Sequence, residues 1–164
     1  MSSIRVSTEG ELDDLLAKLS AIGNLDKQGI NEAIAEALRT NTVERFENEQ
    51  APDGASWKKS IRAGREGGLT LTMSGGLKGS INTRASEAGA EVGTNLVYAA
   101  THQFGASGRT IRAKNKPYLA FQVNGRYIRK KQVTVNIPAR PFLGISEKDR
   151  EDIREMLEEA LGEA

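Results

Sequence analysis

With 164 residues, 38% of them hydrophobic and 27% charged, the chain suits one folded domain around one core, and its composition argues against wholesale disorder. It has no cysteine, so disulfide frameworks and thiolate metal sites are excluded, and no apolar run approaches the ~18 residues of a membrane helix. The net charge of +1 conceals a segregation: residues 1–50 hold 5 Lys and Arg against 10 Asp and Glu, residues 51–146 hold 15 against 4, and residues 147–164 hold 3 against 8.

The opening MSSIRVSTEGELDD has no apolar signal core, so a soluble protein made in a cytoplasm is expected. Next, ELDDLLAKLSAIG places Leu12, Leu15, Leu16 and Leu19 at helical spacing, with Gly23 as a stop. A second amphipathic helix follows, with Asp26 as cap and Ile30, Ile34, Ala37, Leu38, Val43 and Phe46 along it. Pro52, Asp53 and Gly54 break it by turn chemistry. Residues 55–76 are basic and glycine-rich and read as a loop. GLKGSI suits a helical turn or a strand start. SINTRASEAGAEVGTN reads as two short strands around an Ala-Gly turn, with Ile81 and Val92 inward, and LVYAATHQFG as a helical turn ended by Gly105.

Stronger strand signals come next. KPYLAFQV alternates Tyr118, Ala120 and Gln122 against Leu119, Phe121 and Val123, and Asn124-Gly125 is a hairpin turn. RYIRKKQVTVNI returns with Val133, Val135 and Ile137 on one face, until Pro138, which has no N–H to donate, ends it. The closing SEKDREDIREMLEEALGEA is a helix capped by Ser146, with Asp149 at the acid position of a capping box and Ile153, Met156, Leu157, Ala160 and Leu161 as its apolar stripe. The sum is a single α+β domain over 1–164: two N-terminal helices and a C-terminal helix on a small, mainly antiparallel sheet, with a protruding basic hairpin at about 110–135.

Chemistry-bearing patterns are few. His102 is the sole histidine and has no Ser or Cys partner at a recognisable spacing. SGGLKGS, residues 74–80, lacks the phosphate-loop spacing G-x-x-x-x-G-K-[ST]. No catalytic set, metal pattern or cofactor motif is read, so an enzyme is not expected. Arg109, Arg112, Lys114, Lys116, Arg126, Arg129, Lys130 and Lys131 flank the predicted hairpin, with Tyr118 and Tyr127 among them. Cations interleaved with aromatics suit phosphates and stacked bases. They equally suit a β-arm that uses charge to block edge pairing, or contact between copies through the opposite charge of the chain's ends.

Four stretches in order, RFENEQAPDGASW (45–57), LTMSGGLKGSI (71–81), VGTNLVYAATHQFG (92–105) and VNIPARPFLGIS (135–146), resemble the phage virion morphogenesis family, the tail-completion proteins of Mu-like and related tailed phages. Each is weak alone; four at fitting distances are specific, and the likeness covers nearly the whole chain. It implies a non-enzymatic virion protein acting at the tail end or the head–tail junction, with other neck and tail proteins as partners. The wider group of neck proteins that it resembles works as rings. That implies a ring of copies, expected as a hexamer, with DNA in the lumen as a further candidate contact and no membrane. A DNA-binding module near the neck is the alternative.

Under that likeness the motif residues take structural roles. Asp53 and Gly54 set the chain direction, Trp57 packs as an anchor, Gly75 and Leu77 belong to the second stretch, and Tyr98 and Phe104 are expected as apolar anchors before Gly105. Pro138 and Pro141 bracket Ala139-Arg140 ahead of Phe142, holding Arg140 extended, because a residue before proline avoids the helical region. Its planar fork suits a carboxylate, on an acidic helix of its own chain or of a neighbouring subunit. Arg140, Arg126, Arg129, Lys130, Lys131, Arg112 and Lys114 are therefore the interaction candidates.

Overall fold

Asp26 opens the first long helix of the computed structural model, which describes Ala17, residues 26–123 and residues 125–162. Its carboxylate accepts from Gly29 N at 2.9 Å and so satisfies one orphan donor of α1, Lys27–Asn48. The helix expected over residues 12–19 lies outside the described residues, Ala17 excepted. Ile34, Ala35, Leu38 and Phe46 form the buried apolar stripe of α1, yet the same inward surface carries Asn31, Asn41, Thr42 and Arg45. That mixed face is functional in the packing, because each of its long polar side chains meets a partner from elsewhere in the chain.

Glu49 ends α1 in the left-handed region at φ 52°. The turn beyond it forms as expected: Asp53 Oδ1 accepts from Ala55 N at 3.0 Å and Gly54 takes φ +81°. An isolated bridge, Gln50 to Ser56, closes the reversal. Trp57 thereby returns against Phe46, edge to face at 5.4 Å, and Phe46 meets Phe142 at 5.2 Å. These rings and Leu77, Ile81, Val92, Leu143, Ile153 and Leu157 make the core.

Residues 55–76 are not all loop. Ser60 accepts from Ala63 N at 3.1 Å and caps a short helix, α2, Ile61–Glu66. Gly75, at φ +69°, then leads into a single helical turn, α3, Gly76–Gly79, which buries Leu77. β1, Asn82–Ser86, and β2, Gly89–Gly93, pair antiparallel against α1, with Ile81 and Val92 buried as expected. The turn residues are Glu87 and Ala88, so the reversal falls one residue earlier than the predicted Ala-Gly pair. Asn31 Nδ2 donates to Ser86 O at 2.7 Å and ties α1 to that end of the hairpin.

α4, Ala99–Phe104, is the expected turn of helix. The strand after it, β3, Ala106–Arg112, carries little apolar sequence and was not predicted. It pairs with β6, Gln132–Ile137, while β4, Leu119–Val123, pairs with β5, Arg126–Lys130, around Gly125. The predicted return strand over 126–137 is therefore broken by a bend at Lys131, and residues 113–118 loop out opposite it. The expected single sheet is three two-stranded antiparallel ladders. The helix α5, Glu147–Gly162, closes the described chain and packs on α1, with Ile153 and Leu157 buried.

Residues 106–137 form a ribbon in which no described side chain is buried. Its root is fixed at Gly105. A Cβ there, at φ +74°, would meet Ala139 N and Ile137 O at 2.8 Å, both backbone atoms that cannot swing aside. We expect Gly105→Ala to cost about 1–3 kcal/mol or more, from positive φ plus the clash. Urea denaturation checks this, and an unchanged midpoint would show that the root is looser than described.

Candidate functional site

The segment 138–146, which carries the two prolines, is held from four sides. Gln103 of α4 donates through Nε2 to Leu143 O at 2.7 Å and accepts through Oε1 from Phe142 N and Leu143 N at 3.0 Å each. Trp57 Nε1 donates to Pro141 O at 2.9 Å. His102 O accepts from Arg140 N at 2.7 Å. Arg45 of α1 donates to Phe142 O at 3.1 Å, Gly144 O at 2.9 Å and Ser146 Oγ at 3.3 Å. Backbone groups in an irregular buried segment need partners, and here long side chains supply them.

Arg45 also forms a buried ion pair with Asp149, which is fully buried. The other Asp149 oxygen accepts from Asn41 Nδ2 at 2.8 Å. Asp149 is at the same time the acid of the predicted capping box: Ser146 N donates to it at 2.6 Å, and Asp149 N donates back to Ser146 Oγ at 3.2 Å. One carboxylate thus serves the cap of α5 and the arginine of α1. Arg45 was not singled out from the sequence. Its position on the inward stripe, one residue before Phe46, was the available signal.

Arg140 does not face outward. It is 5% exposed and donates through Nε to Lys58 O at 2.7 Å. Within this chain the hydrogen bond of its Nε goes to a backbone carbonyl, while Glu49, the residue that ends α1, lies near enough to act on its charge. Burial lowers the Arg140 pKa, opposed by the nearby Glu49. Glu49 itself is held below the usual carboxylate range by the Thr70 hydroxyl, then by the Thr70 N–H at 2.7 Å, with Lys59 and Arg140 nearby.

The other motif residues divide. Trp57, Leu77 and Phe142 are buried as anchors. Tyr98 and Phe104 are not: they are 46% and 68% exposed. α4 is too short to bury more than one side, and Ala99 and Gln103, four residues apart, take that side. Phe104 instead borders an open groove at the ribbon root with Lys58, Gly105, Pro138 and Ala139.

Arg112, Lys114, Arg126, Arg129, Lys130 and Lys131 are all exposed on or beside the ribbon. Among the described residues none of them forms an ion pair. Tyr118 and Tyr127 beside them are exposed as well. The site is thus a surface: a cationic ribbon on a root locked by Gly105, Arg140 and Gln103. Among the described residues no helix is long and apolar enough to cross a membrane.

The described fold is two long helices braced by a buried ion pair, with an exposed basic ribbon rooted at Gly105. The chain belongs to the phage virion morphogenesis family, whose model matches residues 8–162. It is 28% identical over 145 residues to the "Putative capsid assembly protein G" of Escherichia phage Mu, covering 82% of this chain and 80% of that one. It is 29% identical over 160 residues to the "Mu-like prophage FluMu G protein 2" of Haemophilus influenzae, covering 97% and 95%. No solved structure matches it. The family and these relatives make a role in phage assembly plain.

Removing one member of a buried pair strands the other. Arg45→Met is expected to lower stability by about 3–5 kcal/mol, with Arg45→Met/Asp149→Asn losing less than the two single changes together. Urea titrations of the three variants check this; an Arg45→Met protein as stable as the parent would show that the pair braces nothing.

His102 gives a pH dependence. Its buried Nδ1 has no hydrogen-bond partner among the described residues, and burial, then the charge of Arg140, hold its pKa below the ordinary 6.5. The folded state thus favours the neutral ring, while the unfolded chain takes up the proton first. The stability from His102 is complete above about pH 6.5 and is lost as pH falls toward its folded pKa. His102→Gln should flatten the fall in thermal midpoint between about pH 7 and 5.5. Identical profiles for the two proteins would contradict this.

Proposed function

We propose that this protein completes the phage tail and joins it to the head at the neck, as one subunit of a ring that carries out no turnover. Family membership supports the assembly role, and one observation carries the contact mechanism: a ribbon of exposed, unpaired cations on a rigid root. A ring built by head-to-tail contact needs two different complementary surfaces on each copy. The basic ribbon is one and the acidic helical ends are the other. Residues 1–164 act as one domain, with the ribbon as its arm, other neck and tail proteins as further partners, and the finished virion as its location.

A second reading rests on Tyr118 and Tyr127, 47% and 83% exposed beside the cations, which is a surface able to stack bases and bind phosphates. In that case the ribbon contacts DNA passing through the neck. Retention of the purified protein on duplex DNA at physiological salt, lost steeply as salt rises, would favour it.

Deletion of the gene tests the first reading. We expect complete heads and complete tails to accumulate separately, seen by electron microscopy, with infectivity restored by supplying the protein. Normal infectious particles from the deletion would contradict it.

A further inference from the structure

The C-terminal end of α5 is charged against the helix dipole. Its last turn holds no basic residue, although the helix C-terminus is the end that favours cations. Instead Glu151, Glu155 and Glu158 stand exposed at i, i+4 and i+7 on one face, with Glu159 beside them. None of these four forms an ion pair among the described residues; ion pairs of α5 lie toward its N-terminal end, on Glu147, Lys148, Asp149, Arg150 and Asp152, and Arg154 is engaged as well. Exposed cations without an ion pair among the described residues stand on the ribbon.

The ribbon is short of support in the same way. A two-stranded ladder in water is marginal unless something covers a face. Leu119, Phe121 and Ile128, which share a face by register, are only partly covered. The cations of β5 repeat on a matching scale. Arg126 and Lys130 are four residues apart in a strand, about 13 Å at ~3.3 Å per residue. Glu151 and Glu158 are seven apart in a helix, about 10 Å at ~1.5 Å per residue. Among the described residues no ion pair joins the two surfaces within one copy.

We propose that the ribbon of one copy docks along the Glu151–Glu155–Glu158 face of α5 on the next copy. This rests on the ring reading and names its contact. The ribbon supplies the positive charge that the last turn of α5 lacks, and α5 completes the cover of a ribbon face that is only partly covered within its own copy. The two surfaces are different, so the contact is head to tail and propagates around a ring. Ribbon and α5 belong to the most basic and the most acidic parts of the chain, which suppresses ribbon-to-ribbon and helix-to-helix pairing.

A charge-swap cycle in the deletion background tests it, read as infectious titre and as joined particles by electron microscopy. Lys130→Glu/Lys131→Glu is one variant, Glu155→Lys/Glu158→Lys the second, and a gene carrying all four changes the third. Circular dichroism confirms that each folds, as expected for exposed positions. We expect each double variant to lose at least about tenfold in titre and the fourfold variant to recover to within about threefold of the parent. A fourfold variant no better than the worse double variant would overturn the proposal, as would full titre from the ribbon variant. Loss of DNA retention in the ribbon variant, with the α5 variant at full titre, would overturn it in favour of DNA. If the deletion itself joins normally, the neck reading fails first, and the two failures are told apart.

Discussion

The buried pair between Arg45 and Asp149 is the constraint on which the other contacts depend. Two charges taken from water cost more than their attraction returns unless the remaining lone pairs and N–H groups are also satisfied. Here they are. Arg45 spends its other donors on the carbonyls of Phe142 and Gly144 and on Ser146, while Asp149 caps α5 and accepts from Asn41. The result fixes three separate pieces of chain relative to one another: α1, the irregular segment 142–146, and the start of α5. An apolar pair of the same size would fill the space. It would not hold the backbone of 142–146 at named atoms.

From that segment the constraint passes outward. Gln103 grips residues 142–143 and is part of α4; Gly105 follows α4 and touches the backbone of Ile137 and Ala139; the ribbon begins and ends at that crossing. Arg140 crosses the same root to the Lys58 carbonyl. A flexible loop bearing the same cations would lose conformational entropy on docking, whereas strands leaving a fixed root lose less. That is how a buried core interaction serves a surface that lies outside the core. In the proposed ring that surface acts by charge and shape; the chain's membership of the phage virion morphogenesis family supports an assembly role.

Local signals made much of this legible. The cap at Asp26, the Asp53-Gly54 turn, the helical turn before Gly105, the Gly125 hairpin and the Ser146–Asp149 capping box all stand where side-chain chemistry and backbone preference predicted them. Non-local partnerships were less visible. β3 is a strand because β6 pairs with it, and ASGRTIR has too little apolar alternation to announce that. Arg45 looked like one more charge on a helix, and only the approach of Asp149 makes it internal. The two prolines beside Arg140 are legible in the sequence, but its backbone bond to His102 and its side-chain bond to Lys58 join it to residues distant in sequence. Tyr98 and Phe104 show the converse error: aromatic residues suggest core, and a six-residue helix has only one side to bury.

The central claim is that this chain is a permanent structural part of the particle. The most direct measurement is its copy number in purified infectious virions, by quantitative mass spectrometry against a tail protein of known number, repeated on isolated tails. We expect a small, fixed number of copies in every preparation, retained on the tail or neck piece when particles are broken. Finished particles that lack the protein, or carry it in traces that vary between preparations, would contradict a structural role and point instead to a factor that acts during assembly and then leaves.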